Sequence, residues 1–475
     1  MADTIRKFMN DSPIVRWTAL VLIALMMFFG YMFVDLLSPL QSLIEQQRGW
    51  SPSAFGTYAS AEYILNVCGF LILAGIILDK MGVRFTGTLS ASMMVIGAVI
   101  KYVGISDWFQ TTSLNLWLDS WWTAMPGSAK MAALGFMIFG CGCEMAGTTV
   151  SKAIAKWFKG KEMALAMGIE MAIARIGVFA IFSISPVIAE KFGNVQSPVL
   201  FCAILLIIGL INFIVFSVMD RKFDAELVAA GKYSDDGTED EFHLGDLKKI
   251  LTSRSFWVVA LLCVLYYSAI FPFQRYGANM LQCNLDGISA KAASDIFRWF
   301  PVGAAAITPF LGNYLDNKGR GASMLIFGAI LLIVCHLVFA FLLPITHSHV
   351  LAYATIVVLG ISFSLVPASL WPSVPKIIDE KILGSAYCLI FWVQNIGLCL
   401  VPMLIGSVLS AVNANNPAVI AAKEAGAEFI PYNYTIPLII FAGFGILALL
   451  IALYLKVLDK RQGLGLELPN IVKDK

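Results

Sequence analysis

Long apolar stretches alternate with short polar breaks along the chain. Crossing the ~30 Å of a bilayer's hydrocarbon takes roughly 20 mostly apolar residues in a helix. Stretches of that length lie near 17–40, 55–78, 85–104, 131–155, 163–189 and 197–219, and again near 255–275, 293–314, 322–344, 350–375, 383–410 and 433–457. A polar break from Asp220 to Ser253 parts the two sets, and its acidic run Ser234–Phe242 has the composition of a linker. The pattern predicts an all-α membrane protein with twelve transmembrane helices: a six-helix half over 1–219, a cytoplasmic linker over 220–253 and a second six-helix half over 254–475. Within the linker, Leu244–Leu251 suits a short amphipathic helix at the membrane surface. The apolar run starting at Trp17 is too long for a cleaved signal peptide and reads as the first span.

Composition sharpens this picture. Apolar residues make up 59% of the chain and charged residues 13%, against about 25% charged in soluble domains. A net charge of +2 provides no basic surface for nucleic acid. Of the 33 Lys and Arg, 24 fall on or beside the segments that share a side with the N-terminus and seven on the other side, with Arg175 and Arg275 inside spans. Positive charge marks the cytoplasmic side, so both termini are expected there. Of the nine cysteines, only Cys283 sits in a loop, and Cys141 and Cys143 lack the further ligands of a metal site. No metal, cofactor or nucleophile–base set is expected, so the chain does not read as an enzyme. The distal loop 105–129 holds Trp108, Trp117, Trp121 and Trp122, which suits a segment lying in the membrane interface.

A loop motif occurs twice. Gly75, Asp79, Lys80, Gly82 and Arg84 form the first copy; Gly312, Asp316, Gly319 and Arg320 form the second, 237 residues after the first when counted from Gly75 to Gly312. Each copy follows the second span of its half, as two parallel repeats require. The first glycine of each copy permits close helix approach. The acid can meet a helix N-terminus or a basic residue across the inner gate. We assign these residues a gating role.

The doubled motif resembles the signature loop of the major facilitator superfamily, over the whole chain. Trp157–Glu162, Ala174–Gly177, Phe271–Phe273, Ala368–Pro372 and Gln394–Gly397 resemble the branch of that superfamily containing the lysosomal dipeptide transporters of animals and their microbial relatives. The resemblance implies a transporter of dipeptides, or similar small zwitterions, working by alternating access.

Charges within spans are costly and usually face a cavity or a partner. Counted from the inner-surface lysines at 1.5 Å per residue, Glu144 and Arg175 lie at depths of ~18 and ~21 Å, near the midplane on consecutive helices. They are expected either to tie these helices together or to bind substrate, neutralising one another when the site is empty. A dipeptide ammonium suits a carboxylate, and its carboxylate suits a guanidinium. The branch resemblance implies that role for both residues, and implies an ammonium contact for Asp35. Glu62, like Asp35, otherwise reads as lining a solvated outer vestibule. Glu170 departs from the branch and lies ~140° around its helix from Arg175. Arg275 either closes the outer gate or reaches the headgroups. Trp371, Trp392, Gln394 and Asn395 are the uncharged candidates for holding peptide bonds and side chains.

A proton-coupled carrier of small organic anions is the alternative within transport, with Arg175 on the carboxylate and Glu144 carrying the proton. A non-transporting receptor or scaffold is the alternative of another class. The expected partners are a small solute and the lipid bilayer, with protons added in the coupled alternative; nothing in the sequence marks a surface for an accessory subunit. A bacterial inner membrane is the expected location.

Overall fold

The structure, a computed structural model, describes residues 8–159, 161–230, 247–378 and 383–469. Every regular element among them is helical. The principal helices are α1 (Pro13–Asp35), α2 (Pro52–Leu65), α3 (Leu71–Ile105), α4 (Gly127–Phe158), α5 (Met163–Phe192), α6 (Gln196–Ala229), α7 (Arg254–Asn284), α8 (Trp299–Lys318), α9 (Gly321–Leu337), α10 (His349–Leu370), α11 (Leu383–Asn413) and α12 (Thr435–Gln462). Local chemistry sets several of their ends. Ser51 and Ser253 accept the Ala54 and Phe256 amides at the starts of α2 and α7, and Gly193 ends α5 with φ 66°.

Ten helical segments among the described residues are long and apolar enough to cross a membrane. One of them, Pro52–Ile105, has 54 residues, or about 81 Å at 1.5 Å per residue, far more than one crossing. It breaks at Gly82 (φ 74°, ψ 173°), a conformation open only to glycine, and so makes two spans. The π-turn Asn66–Phe70 between α2 and α3 bends the first of these without ending it. Helix α8 is not among the ten: it has 20 residues and ends in Asn313, Asp316, Asn317 and Lys318. Its packing against α10 and α5 gives it the eighth place.

Three expectations shift. The eighth span starts at Trp299 rather than near 293, because a separate short helix, Ala290–Phe297, capped by Ser289, precedes it. Helix α6 runs to Ala229, ten residues into the expected linker; the acidic run lies outside the described residues, and the amphipathic segment is helical over Leu247–Thr252. The Trp-rich loop forms two short helices, Asp107–Gln110 and Ser113–Asp119, with all four tryptophans exposed.

The repeat read from the motif is also a repeat of packing. In the N-terminal half α1 packs on α5 and α6, α3 on α4 and α6, and α2 on α4. In the C-terminal half α7 packs on α11 and α12, α9 on α10 and α12, and α8 on α10. Adding six to every member of the first set gives the second. The halves meet along α2–α11 and α5–α8, and where Ser38–Leu40, just past α1, touches α7. Helix α6 turns Ile204, Ile207, Ile208, Ile211, Val215 and Val218 outward while burying Leu206, Phe213 and Phe216, the pattern of a helix between lipid and protein.

The face carrying the start of α1 and the end of α12 is called the terminal face below, and the opposite one the distal face.

Candidate functional site

A buried polar seal joins the two halves on the distal side. Arg275 of α7 reaches across to α1 and α2. Its guanidinium pairs with Asp35 at 3.0 Å and with Glu62, and donates to the Val34 carbonyl. Gln274 donates to Asp35 at 2.5 Å, and Ser38 donates to it at 3.4 Å. Asp35, Glu62 and Arg275 are 1%, 6% and 6% exposed. Neither carboxylate lines a solvated vestibule here, and Asp35 is not free to hold a ligand. Arg275 closes the distal side rather than reaching the headgroups. Charges this deep persist because each has a partner. Further out, Asn279 donates to Ser42, Ser42 to Gln282, Tyr434 to Asn279, and Tyr432 to Glu45.

Helices α2 and α11 close the same face backbone to backbone. A Cβ on Gly56 would lie 2.4 Å from the Pro402 carbonyl oxygen, and one on Gly406 2.3 Å from that of Pro52. Ser60 Oγ accepts from the Met403 amide at 3.1 Å, and Ser410 Oγ from the Ser53 amide at 3.0 Å.

Just inside the seal, a charge on one half faces a ring on the other. Glu144 of α4 and Arg175 of α5 are both half-buried. Tyr31 of α1 lies within electrostatic reach of both, and of Glu170. Glu144 and Arg175 form no ion pair with each other, contrary to the expectation that they neutralise one another. The Arg175 guanidinium instead lies 5.2 Å from the ring centre of Phe363. Phe363 belongs to an aromatic wall on the C-terminal half, with Tyr267, Phe271, Trp371, Tyr387 and Phe391. Tyr267 stacks on Phe271 at 5.4 Å and Trp371 on Phe391 at 4.8 Å. The Trp371 indole donates to the Tyr267 hydroxyl at 3.3 Å, and the Tyr387 hydroxyl to the Trp371 carbonyl at 3.2 Å. Trp371 reaches this wall because α10 gives way to a 3-10 turn, Trp371–Ser373, at Pro372.

The other uncharged candidates lie elsewhere. The Trp392 indole crosses to the opposite half and donates to the Val67 carbonyl at 2.9 Å, which the π-turn in the second span leaves available. Gln394 is buried and accepts the Cys263 thiol; Asn395 is buried and donates to its own helix at Phe391. Among the described residues, neither amide hydrogen-bonds to Arg175 or to a side chain of the aromatic wall, and the Asn395 Oδ1 has no hydrogen-bond partner. Sequence reasoning misses Tyr31, Tyr267, Phe363, Tyr387 and Phe391. Aromatic residues are common in every span, and only the fold shows which ones gather near Arg175 or join the wall around Phe363.

The terminal face is different in kind. Asp79 pairs with Lys152 at 2.7 Å, and Arg84 with Asp224 at 2.6 Å. Lys156 bridges Asp220 and Asp224, and the Trp157 indole also donates to Asp220. All of these contacts stay within the N-terminal half. In the C-terminal half Arg320 has φ 70°, and its amide donates to the Glu467 carbonyl at 3.0 Å; the Gly321 amide donates to that of Leu466. Lys80 is exposed. At Gly75 and Gly312 a Cβ would meet nothing within 4 Å. The close approach expected of these two glycines is therefore not made in this conformation, whereas Gly82 and Gly319 owe their identity to positive φ. Outside the spans, the Arg16 hydrogen bond holds the Glu162 carboxyl below its usual range.

Comparison with known proteins agrees with this architecture. The sequence profile of the Major Facilitator Superfamily matches residues 20–402. The lysosomal dipeptide transporter MFSD1 of Danio rerio is 25% identical over 411 residues, covering 83% of this chain and 80% of the relative. The Homo sapiens protein of the same name is 24% identical over 388 residues, 76% of each chain. Among solved structures, a mutant of the nucleoside transporter NupG superposes with a TM-score of 0.70 at 13% identity, covering 92% of this chain and 99% of that one. An inward-facing, occupied bacterial homolog of the human lysosomal transporter Spinster gives 0.64 at 15%, covering 95% and 98%.

Proposed function

The chain belongs to the major facilitator superfamily, and from that premise we propose that it moves dipeptides across a membrane by alternating access. It is an integral multi-pass membrane protein and a transporter, not an enzyme. The observation carrying the dipeptide reading is that Glu144 and Arg175, charges of opposite sign, are half-buried beside the same tyrosine and do not pair. A zwitterion can occupy both at once: its ammonium on the Glu144 carboxylate, its carboxylate on the planar Arg175 fork. Opposite them, Tyr267, Phe363, Trp371 and Phe391 form a surface that accepts peptide bonds and varied side chains through ring faces. The relatives named above, lysosomal dipeptide transporters, support the same substrate class.

In this reading the structure is the state closed at the distal face and open toward the terminal face. The terminal face is cytoplasmic, following the excess of Lys and Arg on that side, and the bacterial inner membrane is the location proposed. Repacking about the α2–α11 and α5–α8 contacts exchanges the two states. The paired loop motifs, with Gly75 and Gly312 facing open space here, come together when the terminal face closes. Substrate drives the exchange only by binding the intermediate more tightly than either end state.

Thermal stabilisation of the purified protein tests the substrate. Free dipeptides, dipeptides blocked at either end, single amino acids and monocarboxylates are compared. A ligand at 100 times its Kd adds about 2.7 kcal/mol. Free dipeptides should stabilise and doubly capped ones should not. E144Q should abolish the distinction between free and N-blocked peptides, and R175Q that between free and C-amidated ones. Stabilisation by monocarboxylates alone would replace this reading with an organic-anion carrier.

A further inference from the structure

One buried cation belongs to none of the pairings above. Lys101 of α3 is 0% exposed, and its Nζ has no hydrogen-bond acceptor among the described residues. The ammonium sits against three rings instead: Phe33 at 4.1 Å, Phe136 at 4.5 Å and Tyr58 at 5.2 Å from the ring centres. Ring faces attract a cation without neutralising it. An ammonium in an apolar interior is costly, and packing alone would be served by an uncharged side chain of similar size.

Its surroundings give the charge a purpose. The three rings come from α1, α4 and α2, so the cage is built entirely by the N-terminal half. Asp35 and Glu62 belong to that half too and lie within electrostatic reach of Lys101, as do Arg275 of α7 and Cys202 of α6. Arg275 is the only member of the group contributed by the C-terminal half. Phe136 is common to both cations, its ring centre 4.5 Å from Lys101 Nζ and 5.6 Å from Arg275 Cζ. When the halves part at the distal face, Arg275 leaves with α7, and the two carboxylates stay with the caged lysine.

We propose that Lys101 is the alternate counter-ion of Asp35 and Glu62, taking over from Arg275 when the distal face opens. A lysine suits this exchange: its charge rides on a flexible four-carbon stem and can swing from the rings toward the carboxylates without backbone movement. Distal opening then becomes a change of partner instead of the baring of two carboxylates. Lys101 is a positioning residue for the transport cycle; it touches no substrate. The inference rests on alternating access and is independent of the dipeptide assignment.

Amide hydrogen exchange of the purified protein, without substrate, tests it at the distal segments 41–48 and 276–284. K101M removes the counter-ion of the open state only, so exchange in both segments should slow about tenfold, the equivalent of ~1.4 kcal/mol against opening. In the D35N/E62Q background, where no carboxylate needs a counter-ion, K101M should leave exchange unchanged. Unchanged exchange in the first comparison, or equal slowing in both backgrounds, would overturn the proposal. K101R decides the matter if K101M does not fold: retaining charge, it should fold and exchange like the wild type, and its failure alongside K101M would assign Lys101 to packing. A wrong substrate assignment leaves every one of these outcomes intact. Distal exchange that no wedge at the α2–α11 contact can alter would instead remove the alternating-access premise.

Discussion

Gly406→Ala places one methyl group where the distal-closed state has no room for it. The added carbon would lie 2.3 Å from the Pro52 carbonyl oxygen, 2.8 Å from the Tyr276 hydroxyl and 3.1 Å from the Gly56 Cα. Two of these are backbone atoms on or beside the opposite half and cannot swing aside. Relief requires α2 and α11 to separate; the Tyr276 hydroxyl and its 2.9 Å hydrogen bond to Pro402 lie within the C-terminal half, so any adjustment there is common to both states. Overpacking of this kind costs about 1–3 kcal/mol. The gain in helix propensity from Gly to Ala is common to both states and cancels. The cost falls on the closed state alone, so the ratio of distal-open to distal-closed molecules should rise between about fivefold and about 150-fold. Amide exchange over 276–284 should quicken by a similar factor. Gly443→Ala on α12, where a Cβ would meet nothing within 4 Å, is the control and should leave exchange unchanged. If G406A exchanges at the wild-type rate while remaining folded, the α2–α11 contact is not what closes the distal face.

Three further outcomes follow from the same structure. R275Q removes from two buried carboxylates the only cation hydrogen-bonded to them among the described residues and should destabilise the distal-closed state by about 3–5 kcal/mol, read as faster distal exchange and a lower melting temperature. G82A and G319A both force alanine into a conformation costing about 1–3 kcal/mol; G319A should be the worse, because its Cβ would also lie 2.4 Å from the Glu467 carbonyl oxygen whereas that of Gly82 meets open space, and melting temperatures of the two variants test the order. The Glu162 carboxyl, held below its usual range by Arg16, contributes stability that is present above its unfolded pKa and lost as pH falls through the lower folded value; an acid melting series should show that loss in the wild type and not in E162Q.

The span pattern, the two halves and the doubled loop can be read before the fold because each depends on local composition or on a motif. Trp371 is legible for the same reason: a proline after an aromatic residue within a span marks a break. The seal is not. Asp35 and Glu62 find their partner more than 200 positions away in Arg275, and nothing in the local sequence distinguishes an acid facing water from one facing a distant guanidinium. Lys101 reads as a residue of the distal surface because it lies near the end of a span; its cage needs rings from three other helices. Gln394 and Asn395 have the chemistry of a binding site, but helical position turns them toward neighbouring backbone and thiol. The loop glycines divide on a physical criterion that sequence does not reveal. Gly82 and Gly319 are required by backbone angle, whereas Gly75 and Gly312 border space that is empty in this state.

The two loops that share a motif are secured by different forces. In the N-terminal half the fastening is ionic, Arg84 and Lys156 on Asp220 and Asp224. In the C-terminal half, main-chain hydrogen bonds join the loop at Arg320 and Gly321 to the tail at Leu466 and Glu467, and the Glu467 carboxylate adds bonds from Ser323 and a looser pairing with Lys456 at 3.9 Å. Dissolved electrolyte weakens ionic fastening and scarcely touches main-chain hydrogen bonds. Raising ionic strength should therefore loosen the first loop more than its twin, so that a nearly symmetric molecule responds to salt unevenly.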